Sequence, residues 1–98
     1  MKHCIIVKFN SGAADKAALL EAVKALFAAG EGIEGVHGFR FYTNCVERSN
    51  RYDLAIVADM ERGALDNWDA SALHKSWKAD FGKYVEAKAI FDFEDEPD

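Results

Sequence analysis

The chain has 98 residues, of which 50% are hydrophobic and 30% are charged, and this size and composition indicate one small globular domain. Its 17 acidic residues outnumber its 12 basic ones, for a net charge of −5, and no cluster of lysines and arginines marks a surface for nucleic acid. No stretch reaches the roughly 20 apolar residues that a transmembrane helix needs, so we expect no membrane partner.

The two cysteines and the two ends of the sequence bear on the cellular compartment in which the protein is expected. Cys4 and Cys45 do not fit a Cys-x-x-Cys motif or the spacing of a metal ligand set, and no secretory signal opens the sequence. We therefore expect a cytoplasmic protein with reduced thiols, no bound metal and no cofactor, while the spacing leaves a disulfide open. Five acids among the last seven residues predict a solvated tail over 95–98, after a single domain spanning 1–94.

The first half of the chain predicts a strand, a helix and a second strand. Residues 3–9, HCIIVKF, form a β-branched run typical of a strand covered on both faces. Over 14–29 the apolar residues recur at helical spacing, and Gly30 is placed to end the helix in a left-handed conformation. The segment 36–43, VHGFRFYT, alternates with one aromatic face and therefore predicts a strand.

The second half predicts two more strands with helical pieces between them. Alternating apolar residues mark the strands, and large apolar residues at helical spacing mark the helices. Ser71 can cap the longer helix, because its hydroxyl can accept a hydrogen bond from a backbone N–H of the first turn. The predicted elements are a hairpin loop over 44–51, a strand over 52–60, one or two helical turns over 61–70, a helix from Ser71 towards Tyr84 and a strand over 85–94.

This order of elements predicts an α+β, ferredoxin-like fold with a split βαβ arrangement. Four antiparallel strands would form one sheet, with the helices on one face. Several strands carry apolar residues in both alternations, so a single thin domain would leave the other sheet face exposed to water. A second copy covering that face would remove the conflict, and we expect a homodimer.

His74 lies on the flank of an apolar helical stripe that contains Leu73, Trp77 and Phe81. Aromatic neighbours would partly desolvate the imidazole, which lowers its pKa and favours a neutral ring able to accept a proton. In the alternative interpretation, the ring nitrogens only bond a backbone carbonyl and a neighbouring side chain. His3 has the same two interpretations. The candidate catalytic residues are therefore His74 and His3, and the candidate pocket residues, for which core packing is the alternative, are Trp68, Trp77, Phe81 and Tyr52.

Four segments in order resemble the stress-responsive dimeric α/β barrel family, known as the Dabb domain. These segments are KHCIIVKF, RYDLAIVADM, WDASALH and IFDFE. The resemblance covers nearly the whole chain. It implies a homodimer in which two sheets close into a barrel, and most members of the family have no established activity.

One plant member of the family, olivetolic acid cyclase, folds a linear polyketide with a histidine and a tyrosine in an apolar pocket. His74 matches that histidine, and His3 matches a second pocket histidine on the first strand. Trp68 stands where the cyclase has its tyrosine, and an indole N–H donates a hydrogen bond but does not shuttle a proton. This departure argues against the same aldol-type cyclisation.

Three functions remain open from the sequence. The first is a small-molecule binding protein or cofactor-free enzyme with a pocket between sheet and helices, acting on an apolar or aromatic molecule. The second is a non-catalytic homodimer with a stress-related or interaction role. The third borrows from other dimeric α/β barrels, which include cofactor-free monooxygenases and haem-degrading enzymes, although no haem ligand stands out in the sequence.

Overall fold

The computed structural model describes residues 1–10, 12, 15–29 and 32–95. The predicted helix start at Ala14, its predicted stop at Gly30 and residues 96–98 of the predicted tail lie outside the described residues. In chain order the elements are β1 (Lys2–Phe9), α1 (Lys16–Ala28), β2 (Val36–Thr43), β3 (Leu54–Met60), α2 (Leu65–Ala70), α3 (Ala72–Phe81) and β4 (Val85–Phe93), with short 3-10 turns at Arg62–Ala64 and Gly82–Tyr84.

The four strands form one antiparallel sheet in the order β2-β3-β1-β4. This topology confirms the predicted α+β, ferredoxin-like fold. Because β1 is central, its residues have a partner on both sides: His3 pairs with Ala58 of β3 and with Asp92 of β4. Strand β2 has the predicted bounds, and its aromatic face, with Phe39 and Phe41, packs against the core.

The third strand was predicted over 52–60, and this start is wrong, because β3 begins at Leu54. The backbone N–H of Asp53 donates to the Val7 carbonyl at 2.8 Å, and the Asp53 carboxylate accepts from the Phe9 N–H at 2.7 Å. A side chain therefore replaces a backbone partner at this corner, and the regular ladder ends there.

The helix bounds also differ from the sequence prediction at their ends. Helix α1 begins at Lys16, because Asp15 is its N-cap and accepts from the Ala18 N–H at 3.0 Å. Helix α3 ends at Phe81. The last turn of the predicted helix is instead a separate 3-10 turn over Gly82–Tyr84, and such tighter turns are common at the ends of α-helices, where backbone carbonyls have no α-helical partner. Strand β4 ends at Phe93, one residue before its predicted end.

Ser71 caps α3 as predicted and joins it to α2. Its hydroxyl oxygen accepts from the His74 N–H at 3.1 Å, and its hydroxyl donates to the Trp68 carbonyl at 2.6 Å. The extended backbone of Ser71 separates the two helices by one residue. This corner places His74 in the first turn of α3, directly beside the end of α2.

The core lies between the helices and one face of the sheet. On that face Val7 and Ile56 are fully buried, and Phe27, Trp68 and Trp77 close the core from the helix side. The other face, which we call the open face, contains Cys4, Ile6, Ala55, Val57, Tyr42, Ala89, Phe91 and Phe93. Within the described part of the chain, no helix is long and apolar enough to cross a lipid bilayer.

Candidate functional site

A groove of about 630 Å³ lies between the helices and the β1–β4 half of the sheet. Its apolar walls come from five residues, and its polar walls include both histidines named from the sequence. The apolar residues are Ile5, Leu65, Trp68, Trp77 and Ile90. A cavity of about 700 Å³ lies on the open face, beside β2 and β3, where it is lined by Lys2, Arg40 and Asp59 among others. Of these two cavities, only the groove contains His3 and His74.

The groove exists because the helix layer stops short of the edge strand β4. Ile5 and Ile90 pair directly across β1 and β4 and point to the same side of the sheet. Ile5 is only 3% exposed, whereas Ile90 is 49% exposed. The helices therefore cover β1 and leave the neighbouring residues of β4 open as one wall of the groove.

His3 is buried in the central strand and faces Asp92 on β4. Its Nδ1 atom forms a hydrogen bond with the Asp92 carboxylate, which strand register places directly opposite. An ionised carboxylate only accepts hydrogen bonds, so Nδ1 carries the proton and donates it. In the neutral ring the Nε2 atom is then a proton acceptor, and the ring lies edge-on to Trp68 at 6.4 Å between centroids.

His74 is held in the same tautomer by a different partner. Its Nδ1 atom lies 3.1 Å from the Asp69 carbonyl oxygen, which only accepts, so Nδ1 donates. The Nε2 atom of the neutral ring is an acceptor and lies 4.0 Å from the Asp69 carboxylate. The ring meets Trp68 at 5.2 Å between centroids. Burial lowers the pKa of His74, and the nearby charge of Lys78 lowers it further, against the opposing effect of Asp69.

The structure brings four of the six sequence candidates together and leaves two outside. His3, Trp68, His74 and Trp77 all line the groove, and the Trp68 ring neighbours both imidazoles. The other two do not line it: Phe81 packs on Trp77 at 5.8 Å, and Tyr52 lies in the segment before β3. Trp68 and Trp77 are at most 3% exposed, so both also serve the core.

Five charged residues of the groove were not named from the sequence. Asp69 and Asp92 hold the histidines, and Lys75, Lys78 and Lys88 complete the charged wall. Lys75 and Lys78 are three positions apart on one helix, and this spacing places them on the same helix face. That spacing was the local sequence signal for a charged wall. Within the described residues no group of three or more His, Cys, Asp or Glu side chains is arranged to hold a metal ion.

The fold and the groove define an α+β domain of the ferredoxin-like class with an edge-strand cavity. Residues 1–95 match the stress responsive A/B barrel domain model, so the chain belongs to the Dabb family. No curated protein sequence matches the chain significantly.

Solved structures with low sequence identity share the fold. The protein At3g17210 of Arabidopsis thaliana has 16% identity and a TM-score of 0.79, with 98% of this chain and 95% of that one covered. A dimeric ferredoxin-like protein of unknown function from Bacteroides fragilis has 14% identity and a TM-score of 0.78, with 95% and 93% covered. A hydroxynitrile lyase from Passiflora edulis has 13% identity and a TM-score of 0.74, with 98% and 95% covered.

Proposed function

We propose that this protein is a homodimer in which each subunit binds a small apolar or aromatic molecule in the groove. The observation that carries the proposal is that His3 and His74 line one groove and both neighbour the Trp68 ring, each with Nδ1 hydrogen-bonded and Nε2 available. A ligand ring would contact apolar walls, and two imidazole nitrogens would be available to a polar group on it. The groove volume, about 630 Å³, falls within the range of about 300–1,000 Å³ usual for small-molecule sites.

A groove-filling substitution tests the binding proposal. Ile90 lines the groove at an exposed position, so Ile90→Trp would fill the cavity with little loss of packed core. We expect the Kd for β-naphthol, measured by isothermal calorimetry, to rise about tenfold or more, a loss of about 1.4 kcal/mol. Val46→Trp is the matched control, because Val46 is also exposed but lies in the loop before β3. Equal affinity in both variants, or no binding to the wild type, would contradict the proposal.

The homodimer is supported by the open face and by the similar structures. Tyr42 and Phe91 of that face are 54% and 63% exposed, and contiguous exposed apolar surface is typical of an interface. Two of the similar structures are described as dimeric. Obligate interfaces of this kind bury about 2,000 Å² or more in total. Sedimentation at micromolar concentration should give a dimer, and a monomer would contradict this part of the proposal.

Proton abstraction in the groove is a second candidate function, favoured by the tautomer and the lowered pKa of His74. The probe is nitrobenzisoxazole, an aromatic molecule whose ring opens when a base removes its C–H proton, the N–O bond breaks and a cyanophenolate is released. We expect wild-type protein to accelerate this reaction, and we expect His74→Gln, which keeps a donor for the Asp69 carbonyl, to remove the acceleration. The same rate in the variant would exclude His74 as the base.

We also propose a cytoplasmic location with reduced thiols. The support is the placement of the cysteines, since Cys4 is buried in β1, Cys45 is exposed in the loop between β2 and β3, and the two are not joined. Absence of nucleic acid and membrane partners stays a prediction from the sequence, as do the 1–94 domain bounds and the roles of the site residues.

A further inference from the structure

The lysines of this protein divide into two groups by their partners. Four of the eight lysines form ion pairs: Lys2 with Asp59, Lys8 with Glu86, Lys16 with Asp53 and Lys24 with Glu21. A fifth, Lys83, lies over the ring of Tyr84. The remaining three have no carboxylate within 4 Å in the described part of the chain, and all three line the groove: Lys75, Lys78 and Lys88.

The acids of the groove do not neutralise these lysines. Asp92 is bonded to His3, and the Asp69 carboxylate lies nearest to His74, at 4.0 Å from Nε2. Three ammonium groups against two carboxylates leave the groove with a positive surplus, although the whole chain has a net charge of −5. A local surplus opposite to the net charge attracts an anion of matching size.

The positions of the lysines match a ligand with one apolar part and one anionic part. Lys75 and Lys78 approach from α3 and Lys88 from β4, and the apolar wall of the same groove includes Ile90, which is 49% exposed. Among the described residues no arginine lines the groove, so an anion there would be held by lysine ammonium groups, which act as point charges, rather than by a bidentate guanidinium. The surplus of one positive charge in the groove matches a carboxylate, which carries one negative charge, better than a phosphate monoester, which carries about −1.5 to −2 at neutral pH.

We infer that the groove selects aromatic carboxylates, with the ring against the apolar wall and the carboxylate held by Lys75, Lys78 and Lys88. This inference rests on the proposed binding function and names the chemical class of its ligand. It makes the three lysines the residues that determine specificity, and it leaves the Nε2 atoms of both histidines available to the rest of the ligand.

Three probes with the same ring test the inference: β-naphthoate, its neutral analogue β-naphthamide, and β-naphthyl phosphate. Calorimetry at low ionic strength and neutral pH should give a Kd about tenfold lower for β-naphthoate than for β-naphthamide, a difference of about 1.4 kcal/mol, because ammonium groups attract a carboxylate and not a neutral amide. The preference should shrink as salt is added, since the lysines are exposed.

Two triple variants with equal net charge provide the control. In Lys75→Gln/Lys78→Gln/Lys88→Gln the preference for β-naphthoate should fall below about twofold, while β-naphthamide binds as before. In Lys16→Gln/Lys24→Gln/Lys83→Gln, whose changes lie outside the groove, the full preference should remain.

The outcomes separate this inference from the function on which it rests. If β-naphthamide binds the wild type as tightly as β-naphthoate, or if the groove variant keeps the preference, the inference is overturned and the proposed binding function stands. Tighter binding of β-naphthyl phosphate than of β-naphthoate would also overturn it. If none of the three probes binds, both the inference and the proposed function fail.

Discussion

The two faces of the sheet carry apolar residues in the same alternating strands but differ in what covers them. On the helix side, Val7 and Ile56 have no exposed surface, whereas Tyr42 and Phe91 on the open face are more than half exposed. Alternation with a period of two gives each strand two independent faces, so one stretch of sequence can specify two packing partners. Here one partner is the helix layer of the same chain, and we propose that the other is a second copy.

A second contrast lies within the helix side itself. Ile5 and Ile90 are paired neighbours that face the same way, yet only Ile5 is buried. The difference shows that a covered sheet face can still contain an open cavity where the helices end before an edge strand. The core beside β1 and β3 therefore serves stability, and the wall formed by β4 is available to a ligand.

The largest expected effect is on the free energy of unfolding, and it comes from the packed core between the helices and the sheet. Phe27 is 1% exposed, and its ring lies 5.3 Å from that of Phe39 and 5.6 Å from that of Trp77. Phe27→Ala should lower the free energy of unfolding by about 3–5 kcal/mol, through lost burial and the cavity that remains. Urea unfolding measures this loss. Val46→Ala, at an exposed loop position, should change it by less than about 0.5 kcal/mol, and equal losses in the two variants would contradict the described core.

On the open face the expected effect is on assembly. Phe91→Asp would place a carboxylate within the proposed dimer interface, where an unpaired buried charge costs about 3–5 kcal/mol. Sedimentation at micromolar concentration should show the variant as a monomer and the wild type as a dimer. Val46→Asp adds the same charge outside the sheet and should stay dimeric. A Phe91→Asp protein that remains a dimer would place the interface elsewhere.

His74 at the groove should contribute less to stability than a core residue. His74→Ala removes the hydrogen bond to the Asp69 carbonyl, but that carbonyl is accessible to water and the ring borders an open cavity. The free energy of unfolding should fall by about 1 kcal/mol, which lowers the melting temperature by about 4–8 °C in a domain of this size. A loss well above about 2 kcal/mol would indicate a packed core residue instead.

The smallest expected effect is on the pH dependence of stability. The pKa of His74 lies below its ordinary value of 6.5 in the folded protein, so the unfolded chain binds the proton more tightly. As the pH falls through 6.5 towards the lower folded pKa, protonation therefore favours the unfolded chain and stability declines. His74→Gln should lessen this decline, as measured by urea unfolding at several pH values. A steeper decline in the variant would contradict the direction of the shift.

Local signals in the sequence predicted most of the fold. The alternation of β2 gave both of its ends, and the Ser71 cap follows from a hydroxyl next to a helical apolar stripe. The start of β3 could not be predicted in this way. It depends on a hydrogen bond from the Phe9 N–H to the Asp53 carboxylate, across 44 positions, which only the folded sheet creates.

The candidate site was predictable only in part, because local patterns indicate single residues and not the long-range contacts that bring them together. Helical spacing placed His74 beside the apolar stripe, and the structure puts it at the edge of the groove. The pairing of His3 with Asp92 spans 89 positions and follows from strand register, which no local pattern specifies. The groove lysines of α3 and β4 meet only through tertiary packing, so the sequence could not show that they face one cavity.

Chemical-shift mapping tests the central claim, that the groove rather than the open face binds the ligand. Isotopically labelled protein would be titrated with β-naphthol, and shifts of side-chain and backbone signals would be followed by two-dimensional NMR. The largest changes should fall on the imidazoles of His3 and His74 and on the indole N–H of Trp68, with the signals of Tyr42 and Phe91 unchanged. Changes centred on Tyr42 and Phe91, or no saturable changes at all, would contradict the claim.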